Sequence, residues 1–366
     1  LGGAFALQFQ GLTHQNSSGV PLADIGNEFN LATANLNIDV QLADGVRMNL
    51  VTYLSSKHHE DTWVKGGYIQ FDKLPFLHSE TIDKLMEKLT IKVGHMEINY
   101  GDAHFRRTDN GNAIYNPFVG NLIMDGFATE IGGEVYYKSN GLLAMAAITN
   151  GEIKGDVTNH AKADPSIYFK AGFDKQLTAD VRTRLTASYY STNKSANNTL
   201  YGGDRTGSRY YYVMAPEEAA GDFSSYAFTG RVDPGFKYAN HALMINPFIK
   251  YKGLEFFGTA EFSNGRRVTE TENRSATQLA GELVYRFGAN ENFYIGGRYN
   301  TLHAELAGYD DAVNVNRVQA SAGWFLTNNV LAKIEYVNQQ YKDYPTDDIL
   351  AGGKFKGFML EATISF

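Results

Sequence analysis

Leu31-Ala32-Thr33-Ala34-Asn35-Leu36-Asn37-Ile38-Asp39-Val40-Gln41-Leu42 is the stretch that decides the fold. Ala32, Ala34, Leu36, Ile38, Val40 and Leu42 fall on one side, and Thr33, Asn35, Asn37, Asp39 and Gln41 on the other. A period of two belongs to an extended strand with one apolar and one polar face. The turn Ala43-Asp44-Gly45 follows, after which Val46, Met48, Leu50, Thr52 and Leu54 alternate with Arg47, Asn49, Val51, Tyr53 and Ser55. Two such strands about an Asp-Gly turn are a β-hairpin.

The dyad recurs along the chain. Val181, Thr183, Leu185, Ala187 and Tyr189 oppose Arg182, Arg184, Thr186, Ser188 and Tyr190. Two arginines on one strand face cannot lie in hydrocarbon, so that face is read as the wet one. Further strands are expected near 3–13, 30–42, 46–56, 62–72, 89–100, 127–138, 142–150, 166–176, 181–193, 240–252, 254–264, 275–288, 292–303, 314–327, 329–342 and 354–366. Short connections such as 139–141, 252–253, 289–291 and 327–329 alternate with long ones at 14–29, 101–126, 151–165 and 194–239. The pattern predicts an all-β, transmembrane, antiparallel up-and-down barrel of about sixteen strands over residues 1–366, with short periplasmic turns and long extracellular loops.

Composition agrees with that reading. The chain has 366 residues, no cysteine, 40 acidic and 33 basic side chains, 23 Tyr and 23 Phe. Mean hydropathy is only −0.32, as expected when alternate residues alone face lipid. The longest apolar run, Leu142 to Ile148, falls far short of the roughly 20 residues of a spanning helix. Leu1-Gly2-Gly3 lacks the layout of a secretory signal, and the chain is read as a mature one. In residues 75–89, Ser79 is placed to cap a short periplasmic helix carrying Ile82, Leu85, Met86 and Leu89 on one face, either as a rim decoration or as a docking surface.

At the end of the chain, Phe358, Leu360, Ala362, Ile364 and Phe366 share one face of Gly357–Phe366. This resembles the C-terminal signature of outer-membrane barrels, which implies that Phe358, Leu360, Ile364 and Phe366 are an assembly signal recognised by the barrel-assembly machinery. Leu89-Thr90-Ile91-Lys92-Val93-Gly94-His95-Met96-Glu97-Ile98-Asn99-Tyr100-Gly101 resembles the strand with a Val-Gly core and an aromatic-Gly ending of phosphate-selective porins (the O/P family). The chain as a whole looks like the porin-like barrels of Bacteroidota. His95 and Met96 stand where that family carries a polar-aromatic pair, and its lysine-rich loop ladder is not seen. The resemblance implies that the loop after this strand folds inward.

Parity places Arg47, Lys92, Lys170, Arg182, Arg184, Lys250, Arg286, Arg298, Arg317 and Lys333 on the lumen side, with Asp39, Glu130, Glu134, Asp174, Glu255, Glu261, Glu282, Glu335 and Glu361. Mixed charges on opposite walls set up a transverse field that sorts ions. Loop 101–126 is the candidate constriction, with Arg106, Arg107 and His104 as its selective residues. The alternative leaves Arg106 and Arg107 on the outer rim, bound to lipopolysaccharide phosphates. The aromatics of loop 194–239 either pack over the mouth or stack on sugars.

The clusters His58-His59-Glu60-Asp61, Asp310-Asp311 and Asp347-Asp348 lack the spaced ligands of a metal site, so neither metal nor cofactor is expected. No hydrolase set, nucleotide fingerprint or basic tract appears, which sets aside enzymatic and nucleic-acid roles. The expected function is passive diffusion of small hydrophilic solutes or ions, with an anion preference. The alternative is a barrel subunit of a larger outer-membrane assembly. Expected partners are outer-membrane lipid and lipopolysaccharide, the assembly machinery, and either a homotrimer or complex partners.

Overall fold

A computed structural model describes residues 1–54, 61–106, 111–153, 163–202, 211–220, 222–226 and 229–366. The chain closes into one antiparallel barrel in which each strand pairs with its sequence neighbour and the last with the first. The strands are β1 (Gly2–Gln15), β2 (Glu28–Ala43), β3 (Val46–Leu54), β4 (Trp63–Phe71), β5 (Leu89–Glu97), β6 (Thr129–Ser139), β7 (Leu142–Thr149) and β8 (Ser166–Gln176). They continue with β9 (Val181–Thr192), β10 (Ala239–Tyr251), β11 (Leu254–Arg266), β12 (Arg274–Phe287), β13 (Phe293–Ala304), β14 (Val313–Thr327), β15 (Val330–Lys342) and β16 (Lys354–Ser365). The largest departure from the expected limits falls at the end of β5, which stops at Glu97 rather than 100 because the chain there leaves the wall and turns inward.

Closure runs from Ala4 opposite Ser365 to Gln15 opposite Lys354. Gly3 and Phe366 exchange two backbone hydrogen bonds of 2.9 Å. The alternation of the sequence becomes an alternation of environments. Leu283, Tyr285, Ile295, Val318, Ile334, Phe358 and Leu360 are exposed on the outside, whereas Glu261, Arg317, Glu335 and Gln339 on the other face of neighbouring strands are buried. The β1–β16 pairing leaves no unpaired edge at barrel closure, and the apolar side chains face outward, so the exterior is a lipid surface. At the short-turn end, Tyr285, Phe287, Phe293 and Trp324 form a ladder of rings 5.6 to 6.0 Å apart, an interfacial aromatic girdle. The chain is thus a multi-pass β-barrel of the bacterial outer membrane.

Between β4 and β5 lie a 3-10 turn at Pro75–Leu77 and the helix α1 (Glu80–Met86). Ser79 occupies the N-cap position but its hydroxyl makes no cap; its carbonyl accepts from the Asp83 N–H at 2.9 Å, and Glu80 and Asp83 supply negative charge to the first turn. Of the expected apolar face, Met86 is buried and Leu85 is exposed.

Candidate pore and its inner loop

The described residues between Ile98 and Ala128, 98–106 and 111–128, fill much of the lumen, and their fixed points name the elements that hold them. At the start, the Lys170 ammonium on β8 meets the Asp102 carboxylate at 2.6 Å and the Gly101 carbonyl at 2.7 Å. Arg184 and Thr186 on β9 donate to the same carboxylate at 2.9 and 2.8 Å, and the Asp102 N–H donates to Asn246 Oδ1 on β10 at 2.9 Å. Burial alone would raise the Asp102 pKa, but the adjacent ammonium and guanidinium outweigh it and hold the carboxyl below its ordinary value. Next along the loop, Arg106 forms a two-pronged pair with Glu282 on β12 at 3.0 and 3.1 Å and lies 4.2 Å over the Phe257 ring.

The middle of the loop presents backbone to the far wall, and the wall charges grip it. Lys333 donates to the carbonyls of Ala113, Asn116 and Phe118, Arg298 to that of Gly120, and Arg317 to that of Asn121. Glu335 accepts from the N–H groups of Val119 and Gly120, Asn300 from Ile123, and Gln278 from Met124. Buried loop backbone has no water to turn to, so each group needs a protein partner.

A second insertion, from the connection between β9 and β10, lies against the first. The Val232 N–H donates to the Ile123 carbonyl and the Phe127 N–H to the Leu200 carbonyl. Tyr201 shares Glu261 with Tyr100, Tyr211 donates to Glu335 at 2.7 Å, and Arg317 reaches the Gly230 carbonyl. Packing of this loop's aromatics over the lumen is therefore observed at Tyr201 and Tyr211.

These contacts sort the expected lumen charges into two groups. Glu130, Glu134, Lys170, Glu261, Glu282, Arg298, Arg317, Lys333 and Glu335 are buried under the loops. Most act as pegs for polar backbone and tyrosine hydroxyls, and Glu282 for the Arg106 guanidinium; Glu134, for instance, accepts from Tyr136 and Tyr168. Arg47, Lys92, Arg182, Arg184 and Arg286 keep access to solvent. Arg182 pairs with Asp174 at 2.6 Å, Arg286 with Glu255 at 2.9 Å, and Arg47 with Asp72 at 3.4 Å. The Lys92 ammonium instead lies 5.0 Å from the Tyr68 ring and 5.4 Å from the Tyr136 ring. Asn246, Gln278 and Asn300, which grip the loop, carry no charge and drew no attention in the sequence, although parity already placed them on the inner face.

The space left beside the loop has a volume of about 1130 Å³. It extends from Asp72, Asn140 and Asp174 at the short-turn end to His104, Phe105 and Asn112 of the loop. His104 is pinned there between the Glu97 carboxylate and Asn99 Oδ1, the latter at 3.0 Å. Arg107, His58, His59, Glu60, Arg209, Tyr210 and Phe228 lie outside the described residues.

No family model matches the chain, and no curated protein matches it in sequence. Solved structures share its fold. An anion-selective porin from Comamonas acidovorans aligns with a TM-score of 0.57 at 10% identity, covering 100% of this chain and 98% of that one. Salmonella typhi OmpF, in complex with daunomycin, aligns with a TM-score of 0.56 at 12% identity, covering 100% and 96%. OmpT, an outer membrane protein of Vibrio cholerae, aligns in its trimer form with a TM-score of 0.57 at 9% identity, covering 100% and 98%. The fold is that of outer-membrane porins.

Proposed function

We propose that the chain is a passive pore for small hydrophilic solutes and ions, with a preference for anions, whose path runs between the inner loop and the wall formed by β2 to β9. One observation carries the reading: the open space is lined by Arg47, Lys65, Lys92, Lys138 and Arg184 against Asp72, Glu97 and Asp174. A basic excess in a narrow, low-dielectric passage raises the local concentration of anions. Ring faces hold the ammonium groups of Lys92, Lys65 and Lys138, while Arg47 and Arg184 share theirs with acids, and Lys92, which lies near two rings, serves as the probe of this basic lining. His104 and Phe105 form the loop's edge on this path, and Arg106 keeps the loop in place from the opposite wall. The resemblance of residues 89–101 to phosphate-selective porins also points towards anionic cargo.

The test is single-channel conductance in planar bilayers, with reversal potentials in a salt gradient. Wild type should conduct with anions favoured, and Lys92→Gln should move the reversal potential towards the cation side. A silent bilayer would remove the pore reading and put the barrel in a larger assembly; conductance indifferent to Lys92 would remove the filter.

A further inference from the structure

Cations are rare on the lipid-facing side of the strands. Parity puts Lys175 of β8 there at the short-turn end, and Arg266 of β11 at the long-loop end. Lys342 of β15 and Lys354 and Lys356 of β16 also lie at the long-loop end, between the buried inward residues Tyr341 and Phe355 and the exposed Phe358. Most of the outward cations thus gather on two adjacent strands. Every residue of the connections beside them, 16–27, 305–312 and 343–353, is among the described ones.

Their depth follows from β16. From Phe366 back to Phe358 the outward residues are apolar, and that stretch spans about 27 Å of strand, or about 21 Å of height at a tilt of roughly 40°. The Tyr336 and Phe358 rings, 5.2 Å apart, close the apolar belt on this side. Lys356 comes next and Lys354 after it, so both stand where lipid head groups begin. A lone lysine at that level needs no ligand, since its stem covers apolar surface while its ammonium reaches water. Three together are a different case. Lys354 and Lys356 are about 7 Å apart along one strand, and Lys342 is the diagonal neighbour of Lys354, about 7–8 Å away. Like charges at that spacing repel, and among the described residues no carboxylate pairs with any of the three. Asp343, next in sequence to Lys342, instead accepts from Asn314 at 2.7 Å. Gln15 and Gln340 flank Lys354, and Asn338 flanks Lys356, with no side-chain hydrogen bond of their own among the described residues.

We propose that Lys342, Lys354 and Lys356 form a fixed site for the phosphate groups of a phosphorylated glycolipid of the outer leaflet. Charge complementarity selects the occupant, because an ammonium is a compact charge suited to phosphate and the repulsion among three of them is relieved by a polyanion. Gln15, Asn338 and Gln340 meet sugar hydroxyls, and the acyl chains lie down the wall over Tyr336, Phe358 and Leu360. A second copy of the chain fits less well, because across a two-fold axis the same cations would face one another. The site is on the outer wall rather than in the lumen, and it stands whether or not the barrel conducts.

The test is native mass spectrometry of the full-length barrel in detergent, titrated with a bisphosphorylated acylated glucosamine disaccharide, its phosphate-free counterpart and inorganic phosphate. Saturable binding of the bisphosphorylated lipid alone is expected. Lys354→Gln and Lys356→Gln should each weaken it about fivefold, near 1 kcal/mol apiece, and about twenty-five-fold together. Lys175→Gln, at the opposite end of the wall, should leave it unchanged. Equal binding of the phosphate-free lipid, wild-type affinity in the double variant, or an equal loss in Lys175→Gln would overturn the site. Displacement by an equimolar amount of inorganic phosphate would make it a free-anion site and overturn it too. So would a dimer that the double variant abolishes, which would make this wall a subunit contact.

Discussion

Asp102 sits where three wall residues converge. Its carboxylate is buried, as is Lys170, and Arg184 and Thr186 complete its shell. Removing one member of a buried pair leaves the other charge unmatched, which costs about 3–5 kcal/mol. Asp102→Asn is therefore expected to destabilise the purified barrel by about 3 kcal/mol, by that same loss of a buried partner, and to make the open channel noisier as the start of the loop loosens. Denaturant unfolding in micelles and single-channel records check both. The pH dependence follows from the sign of the shift. A carboxyl with its pKa lowered in the fold stabilises fully above the ordinary range near 4 and loses that contribution as pH falls through the lowered value. Wild type should thus acquire the Asp102→Asn noise only below the ordinary carboxylate range, and noise that set in already at about pH 4 or above would show that the clamp does not hold the carboxyl ionised. Residues like Lys333 and Glu335 were legible as inward by parity alone. What they hold was not, because the acceptors and donors at Ala113, Phe118 and Val119 are backbone groups that leave no mark in side-chain pattern.

At the scale of elements, strands were legible because lipid on one side and polar groups on the other impose a strict period of two. The limits failed where that constraint lapses, as at Glu97, where the chain leaves the wall. The helix α1 was located by its apolar spacing and its N-cap position by Ser79, although the Ser79 backbone, not its hydroxyl, accepts the first-turn bond. The last strand offers a prediction that separates two roles. Phe366 is 71% exposed, and its backbone, not its ring, makes the closing bonds with Gly3. If the ring serves recognition by the assembly machinery, Phe366→Ala should lower the yield of inserted barrel in cells several-fold. It should change the stability of barrel refolded in detergent by no more than about 1–2 kcal/mol, the scale of one apolar side chain. Equal losses in both measurements would assign the ring to stability instead.

For the whole molecule, the formal charge of −7 and the basic excess around the open path have opposite signs, so the proposed anion preference requires a local field that the rest of the chain opposes. Local and distant charge respond differently to salt. The Debye length is about 10 Å at 0.1 M and about 3 Å at 1 M, so distant charges are screened first and only ions in contact with the lining still feel it at high salt. Lys92, backed by aromatic rings beside the open space, is such a contact. Reversal potentials measured at fixed gradient ratio from 0.1 to 1 M are therefore expected to become more anionic, or to hold, as the distant negative charge is screened. A preference that instead vanishes towards 1 M would place its source in long-range charge, and Lys92→Gln would then leave the low-salt selectivity unmoved. The two dependences, on salt and on Lys92, stand or fall together, because both follow from lining cations, Lys92 among them, whose field acts at contact range.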